Sequence, residues 1–132
     1  IVISLDRPII TTGLKIARIS SKDLPCLLLQ RVLKVVPIKL NSDYLFHWFN
    51  SEYFIGSINP GRSIGIPHVS HNEIIKIEFP LPPLAEQERI VAKLEKLMQF
   101  CDELEANIKQ GITNADRLLQ IALREAWQSR EI

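Results

Sequence analysis

No proline follows Pro83 in this chain, although eight prolines lie between Pro8 and Pro83. Proline inside a helix removes a backbone hydrogen bond and clashes with the preceding turn, so a long proline-free run can form one uninterrupted helix. The earlier prolines separate shorter segments. The composition therefore divides the chain into a compact module, residues 1–80, and a long helix, residues 81–132.

Cysteine and glycine are also scarce. The two cysteines, Cys26 and Cys101, lie in apolar contexts without CxxC spacing, which excludes a disulfide framework and predicts buried free thiols of the cytoplasmic kind. The five glycines are scattered, so no glycine-rich loop is present to hold phosphates or a nucleotide. We therefore expect no catalytic site, no metal and no bound cofactor.

No apolar run approaches the length of a membrane span, and neither an initiator methionine nor a signal peptide is present. The chain opens on an apolar, strand-like run, residues 1–5. We expect a cytoplasmic chain without membrane contacts that is the C-terminal piece of a longer protein.

The formal charge is distributed unevenly. Residues 1–80 hold nine Lys/Arg against six Asp/Glu, or +3, whereas residues 81–132 hold seven against nine, or −2. A mildly basic module and a mildly acidic helix are compatible with a module that meets nucleic acid and a helix that meets protein.

The proline-free part carries a seven-residue repeat of apolar residues, which predicts a left-handed coiled coil. Pro83 suits the first helical turn, and a helix from there to about residue 129 would be roughly 70 Å long at 1.5 Å per residue. The a and d positions of the heptads, the predicted coiled-coil interface, are Ile90, Leu94, Leu97, Cys101, Leu104, Ile108, Ala115, Leu118 and Ala122.

This apolar stripe is too large to stay in water. Burying about ten large apolar side chains contributes on the order of 15–30 kcal/mol before the opposing terms. The stripe could pack on the first part of the chain, or the helix could fold into a hairpin at residues 111–114. We favour a partner helix, with Gly111 allowing its backbone to approach closely.

The first 80 residues predict a mixed α/β module, so the fold class is α+β with a long coiled-coil-forming helix. Predicted strands are residues 1–5, 14–19 and 27–36, and the apolar residues of 75–79 alternate along the chain toward the proline segment. Asn41 or Ser42 can cap a helix that reaches Phe49, and Ser70 with Glu73 forms a capping box. Arg31, Lys34 and Lys39 alternate with apolar residues and are predicted on the solvent face of a strand.

Residues 77–105, IEFPLPPLAEQERIVAKLEKLMQFCDELE, resemble the region that follows a target-recognition domain in the DNA specificity subunits of type I restriction-modification systems. The junction LPPLAEQ-x-RIV, the leucine heptad and the CDELE segment carry the likeness. Residues 118–127 resemble the end of the same helix. Residues 6–20, 23–32 and 65–70 resemble the second half of one subclass of recognition domain.

The resemblance implies a division of labour. Residues 1–80 would be the C-terminal portion of a target-recognition domain that binds double-stranded DNA, and residues 81–132 the conserved helix. That helix would pair with another such helix, from the rest of the subunit or a second copy, as a spacer between two DNA half-sites. The subunit would be noncatalytic. It would direct methyltransferase subunits, which methylate adenine with S-adenosylmethionine, and a restriction subunit, which uses ATP and Mg.

Two polar loops are the candidate DNA contacts, because recognition requires phosphate anchors and a few side chains that reach base edges. We expect Arg7 or Arg62 to read a base and Lys15 and Arg18 to bind phosphates. The full predicted DNA-binding set is Arg7, Thr11, Thr12, Lys15, Arg18, Arg62, Ser63 and His68.

Two other functions remain open from sequence. A scaffold module would dimerise through the helix and show no salt-sensitive DNA affinity. A homodimeric DNA-binding regulator would bind a palindromic site without a methyltransferase. The LPPLAEQ-x-RIV junction is the feature that favours the specificity subunit.

Overall fold

The computed structural model describes residues 1–10, 13–58 and 68–128. Its contacts divide the chain into two compact units, residues Ile1–Val91 and the residues from Ala92 onward. The first unit combines short strands with short helices. A 45-residue helix, Leu84–Gln128, begins in the first unit and forms the described part of the second. The α+β fold class predicted from the sequence is confirmed.

Among the described residues of the first unit, five short strands form two antiparallel sheets. The strands are β1 (Val2–Ser4), β2 (Ile9–Ile10), β3 (Gly13–Leu14), β4 (Ile16–Ala17) and β5 (Val32–Lys34). β1 lies at the centre of a three-stranded sheet with the order β4-β1-β5, and β2 pairs with β3. Ile3 on β1 faces Ile16 on one side and Leu33 on the other, and its side chain is buried in the core. Gly13 opens β3 with φ of +114°, which glycine adopts without steric cost.

The strand predictions were correct near the N-terminus and wrong further on. Within residues 14–19 only Leu14, Ile16 and Ala17 lie in strands, and the break between β3 and β4 falls at Lys15, whose backbone bonds Ser4 and Pro8. Of residues 27–36 only Val32–Lys34 are a strand, and Leu27 is 95% exposed. β1 is only three residues long, so the apolar run before Val32 has no strand beside it among the described residues. The alternating residues 75–79 do not form a strand, because the backbone after Ile74 turns back on itself.

Side-chain caps define the short helices α1 (Ser42–Phe49), α2 (Glu52–Ser57) and α3 (His71–Ile74). The side-chain oxygen of Asn41 accepts the N–H groups of Asp43 and Tyr44, both at 2.9 Å. The predicted capping box of Ser70 and Glu73 is present at the start of α3. α2 was not predicted, although its N-cap Ser51 followed by Glu52 is a local start signal.

Aromatic rings pack together in one part of the core of the first unit. Phe54 is fully buried, and its ring lies 4.8 Å from the rings of both Trp48 and Phe49 between centroids. Phe79, in the segment that leads to the proline residues, packs edge-on against Trp48 and Tyr44. The chain that leads to the long helix is therefore anchored in the same core as α1 and α2.

The junction motif LPPLAEQ fixes the start of the long helix, α4 (Leu84–Gln128), against α1. Gln87 is 2% exposed, and its amide oxygen accepts the backbone N–H of Asn41 at 2.9 Å. Its amide nitrogen donates to the carbonyl of Pro82 at 2.8 Å. The hydroxyl of Tyr44 donates to the carbonyl of Pro80 at 3.1 Å. These contacts lie within the first unit and connect the proline segment to the cap of α1.

α4 runs without a break through Gly111, so the alternative of a hairpin at residues 111–114 is wrong. From Ala92 to Gln128 every residue of the helix except Leu94 is exposed. Both cysteines are exposed, Cys26 in the irregular segment before β5 and Cys101 on α4. The prediction of buried thiols is therefore wrong for this chain, because neither apolar context packs against a covering element.

Candidate nucleic-acid interface

Three distant parts of the chain meet at residues 4–8, which we call the 4–8 segment. The carbonyl of Lys15 accepts the N–H of Ser4 at 3.0 Å, and the N–H of Lys15 donates to Pro8 at 2.7 Å. Leu5 donates to the carbonyl of Arg31 at 2.8 Å and accepts the N–H of Val69 at 2.9 Å. Long-range backbone hydrogen bonds thus fix the position of each part.

Two of the predicted DNA-binding residues lie on or beside this segment as exposed side chains. Arg7 has a φ of +43°, in the left-handed region that non-glycine residues rarely adopt. Asp6 forms an isolated antiparallel bridge with His68, which places the predicted His68 next to the predicted Arg7 along the backbone. Residues from the two loops proposed from sequence are therefore neighbours.

Lys15 and Arg18 are placed differently. Lys15 is partly exposed and is attached to the 4–8 segment through both of its backbone groups. Arg18 lies beyond β4, where its guanidinium contacts Asp43 at 3.0 Å and sits 4.1 Å above the ring of Phe46. Lys15 thus joins the site that contains Arg7, whereas Arg18 is engaged by α1. The phosphate-binding roles of both residues stay predictions.

Arg31 is a cation at this site that was not predicted as a DNA contact. It precedes β5 with a φ of +62° rather than lying on the solvent face of a strand, and its guanidinium contacts Asp6 at 3.0 Å. Of its predicted companions, Lys34 is exposed on β5, while Lys39 lies outside any strand with a φ of +55°. No local pattern indicates this placement, because it depends on the hydrogen bond between residues 5 and 31.

Four of the predicted contacts lie outside the described residues: Thr11, Thr12, Arg62 and Ser63. Among the residues that are described, Arg7 lies on the 4–8 segment, the backbones of Lys15 and Arg31 are bonded to it, and His68 pairs with Asp6. Three formal positive charges against one negative charge make a local cationic surface, which suits a polyanionic ligand.

The predicted coiled-coil stripe forms a second candidate site, on α4. Within the second unit its large apolar side chains are exposed by roughly half or more, Leu104 by 44%, Leu97 by 53%, Ile108 by 62% and Leu118 by 67%. Cys101, Ala115 and Ala122 are exposed between them, while Leu94 is partly exposed. Ile90, in the first unit, is also partly exposed. A coiled coil needs a partner helix, so the stripe as an interface stays a prediction.

Neither a metal cluster nor a membrane helix is found in the described part of the chain. No three His, Cys, Asp or Glu side chains are grouped there to hold a metal ion. No helix within the same residues combines the length and the hydropathy that a bilayer span requires.

Comparison with known proteins identifies the family to which this chain belongs. The sequence model of the type I restriction modification DNA specificity domain matches residues 2–114, which is most of the chain. The chain therefore belongs to the family of type I restriction-modification DNA specificity subunits. That membership confirms the resemblance seen in the sequence and the prediction that the chain is a noncatalytic part of such a system.

Individual relatives of the chain are also named as type I specificity subunits. The chain is 52% identical over 111 residues to the type I restriction enzyme EcoAI specificity subunit of Escherichia coli, a match covering 83% of this chain and 19% of that subunit. It is 33% identical over 109 residues to the EcoBI specificity subunit of Escherichia coli, covering 80% and 23%. It is 31% identical over 121 residues to the MjaVIII specificity subunit of Methanocaldococcus jannaschii, covering 89% and 28%.

The chain thus spans less than a third of the length of each of these three relatives, from 19% to 28%. No solved structure matches the chain.

Proposed function

We propose that the first unit recognises double-stranded DNA as part of a type I specificity subunit. The observation that carries this proposal is the family match over residues 2–114. The cationic surface around the 4–8 segment supports it, because phosphate contacts dominate the affinity of DNA-binding proteins and basic side chains supply them. In this proposal the loops that carry Arg7 and His68 face the DNA.

The second part of the proposal concerns partners. α4 pairs through its exposed stripe with another conserved-region helix, from the rest of the subunit or from a second copy. Methyltransferase and restriction subunits join that assembly. The partner subunits bind S-adenosylmethionine, ATP and Mg, and this chain binds none of them. It sets the DNA sequence at which adenine is methylated and cleavage is directed, and the complex works in the cytoplasm.

Adenine methylation across the genome tests this proposal. Deletion of the gene should abolish one bipartite methylated motif, and its restoration on a plasmid should bring the same motif back. The control is deletion of the methyltransferase gene, which should remove that motif as well. An unchanged set of methylated motifs, with the gene expressed beside an active methyltransferase, contradicts the proposal.

The two alternatives predict other results. A scaffold module would leave the methylated motifs unchanged, and the purified protein would show no salt-sensitive affinity for DNA. A homodimeric regulator would bind a palindromic site in the absence of any methyltransferase. The exposed stripe on α4 is compatible with all three functions, so DNA methylation is the measurement that separates them.

A further inference from the structure

The ion pair between Arg31 and Asp6 carries an inference about how this chain reads DNA. The guanidinium nitrogen Nη1 lies 3.0 Å from the Asp6 oxygen Oδ1, and the two side chains are 61% and 41% exposed. Exposed ion pairs of this kind contribute little to folding stability. In this structure the contact does, however, direct the guanidinium of a long side chain toward Asp6.

The backbone at Arg31 is held in an unfavourable conformation. Its φ of +62° is one that glycine or asparagine adopts far more readily than arginine. The hydrogen bond from Leu5 to the Arg31 carbonyl ties this turn to the 4–8 segment at 2.8 Å. Strained residues of this kind cluster at binding sites, where the surrounding structure holds them in place.

The neighbours of the pair place it on the candidate DNA surface. Asp6 forms the bridge with His68, and Arg7 follows Asp6 directly with its own left-handed backbone. Arg31 therefore lies among residues that the sequence analysis assigned to DNA contact on independent grounds.

The Asp6 carboxylate favours one of two roles for the Arg31 guanidinium, which are binding a phosphate and reading a base edge. Beside Asp6, the positive charge of Arg31 is partly compensated, which weakens its attraction for a phosphate. A base edge carries no net charge, and an arginine fork held in a fixed direction can donate two hydrogen bonds to the O6 and N7 atoms of guanine. A guanidinium has five N–H donors, so one contact with Asp6 leaves enough of them for such a pair.

We propose that Arg31 reads a guanine edge in the DNA half-site and that Asp6 is the residue that positions it. This inference rests on the proposed DNA-recognition function and goes beyond it by naming a specificity-determining residue. Arg7 and Lys15 then supply the surrounding contacts, and Lys15 in particular binds a phosphate.

The test is DNA binding by the full-length subunit assembled with its methyltransferase subunits. The probes are duplexes that carry every single base-pair change in the half-site. Arg31→Gly removes the side chain while suiting the left-handed backbone. It should weaken binding to the cognate duplex about 10- to 100-fold and leave the salt dependence unchanged. At one position of the half-site, the complex should then bind all four base pairs equally well. Arg31→Lys should also lose that preference, because an ammonium cannot form the two-bond fork.

Asp6→Asn tests the positioning role. It should weaken the preference at the same base pair while leaving the preferences at the other positions intact, a pattern that a general loss of folding would not produce. Arg89→Ala is the matched control, because Arg89 forms another exposed ion pair, at 2.7 Å with Glu86 on α4. It should leave every base preference unchanged.

Two results overturn the inference. If Arg31→Gly keeps the base preferences of the unsubstituted complex, Arg31 does not read a base. If it weakens all duplexes alike and reduces the slope of log K against log salt by about one, Arg31 binds a phosphate instead. Either result presupposes that the unsubstituted complex is sequence-specific. An unsubstituted complex without sequence preference would instead overturn the proposed function itself.

Discussion

Tyr44 and Gln87 show how single polar side chains organise the core of the first unit. Gln87 is buried, and its amide oxygen and nitrogen bond the backbone of Asn41 and Pro82 respectively. Tyr44 is buried beside it and donates to Pro80. A buried polar group without a partner is costly, so both side chains require the proline segment to keep its path. The LPPLAEQ motif therefore has a structural explanation in addition to its value as a family signature.

Tyr44 also makes the first unit sensitive to alkaline pH. Burial raises the pKa of its phenol above the ordinary value of 10.0. The folded chain therefore holds the phenolic proton more tightly than the unfolded chain does. This difference contributes to the free energy of unfolding. The contribution is fully present below the ordinary pKa of the phenol, and it is lost as the pH rises from that value through the pKa of the folded state.

Tyr44→Phe should lower the free energy of unfolding by about 0.5–1.5 kcal/mol at neutral pH, because the hydrogen bond to Pro80 is lost. Above about pH 10 the difference from the unsubstituted chain should shrink, since phenylalanine has no proton to lose. Urea unfolding at a series of pH values measures both effects. Tyr53→Phe, at an exposed tyrosine, is the control for loss of a hydroxyl. A difference that widens above pH 10 would contradict the assignment.

The elements differ in how well the sequence predicts them. α1 and α4 were predicted because their signals are local: a cap residue at Asn41 and an apolar repeat after Pro83. The strand predicted at residues 27–36 failed because an apolar run is compatible with a strand only when another strand lies beside it. β5 ends up three residues long, matched to the three residues of β1. Strand pairing depends on residues that are distant in sequence, so the local pattern of apolar residues does not predict it.

Gly111 is the residue of α4 whose role can be measured at the level of the helix. It occupies a d position of the predicted seam, and a Cβ added there meets nothing within 4 Å in this chain. Gly111→Ala should therefore stabilise the helix of the unpaired chain by about 1 kcal/mol, because alanine has the higher helix propensity. If a partner backbone approaches closely at this position, the same substitution should weaken helix pairing.

Thermal unfolding followed by circular dichroism measures the first effect at low protein concentration, and sedimentation at high concentration measures the second. Gln120→Ala, an exposed change to alanine elsewhere on the same helix, is the control. A Gly111→Ala chain that pairs more tightly than the unsubstituted chain would exclude close backbone approach at residue 111.

On the scale of the whole molecule, the candidate DNA surface is built by contacts between parts that are distant in sequence. The polar loops of the sequence predict DNA contacts at Arg7, Lys15 and His68. In the structure all three residues lie on the 4–8 segment or are bonded to it. Arg31 could not be predicted at this surface from the sequence, because its position depends on a backbone hydrogen bond to Leu5, 26 residues earlier in the chain. Arg18 has a local basic context, yet Asp43 of α1 engages it. Local chemistry thus identified candidate residues, and tertiary contacts decided their surroundings.

The exposed stripe of α4 leads to the last prediction, which concerns association of whole chains. Large apolar side chains repeated along one helix face are rarely left in water by a soluble protein. The chain should therefore associate through α4, and Leu104→Glu should weaken this association at least about tenfold by placing a charge at a d position. Gln110→Glu adds the same charge on the outer face of the helix and should leave association intact. Sedimentation velocity across a range of concentrations measures both variants, and equal association of the two would show that the a and d positions do not form the interface.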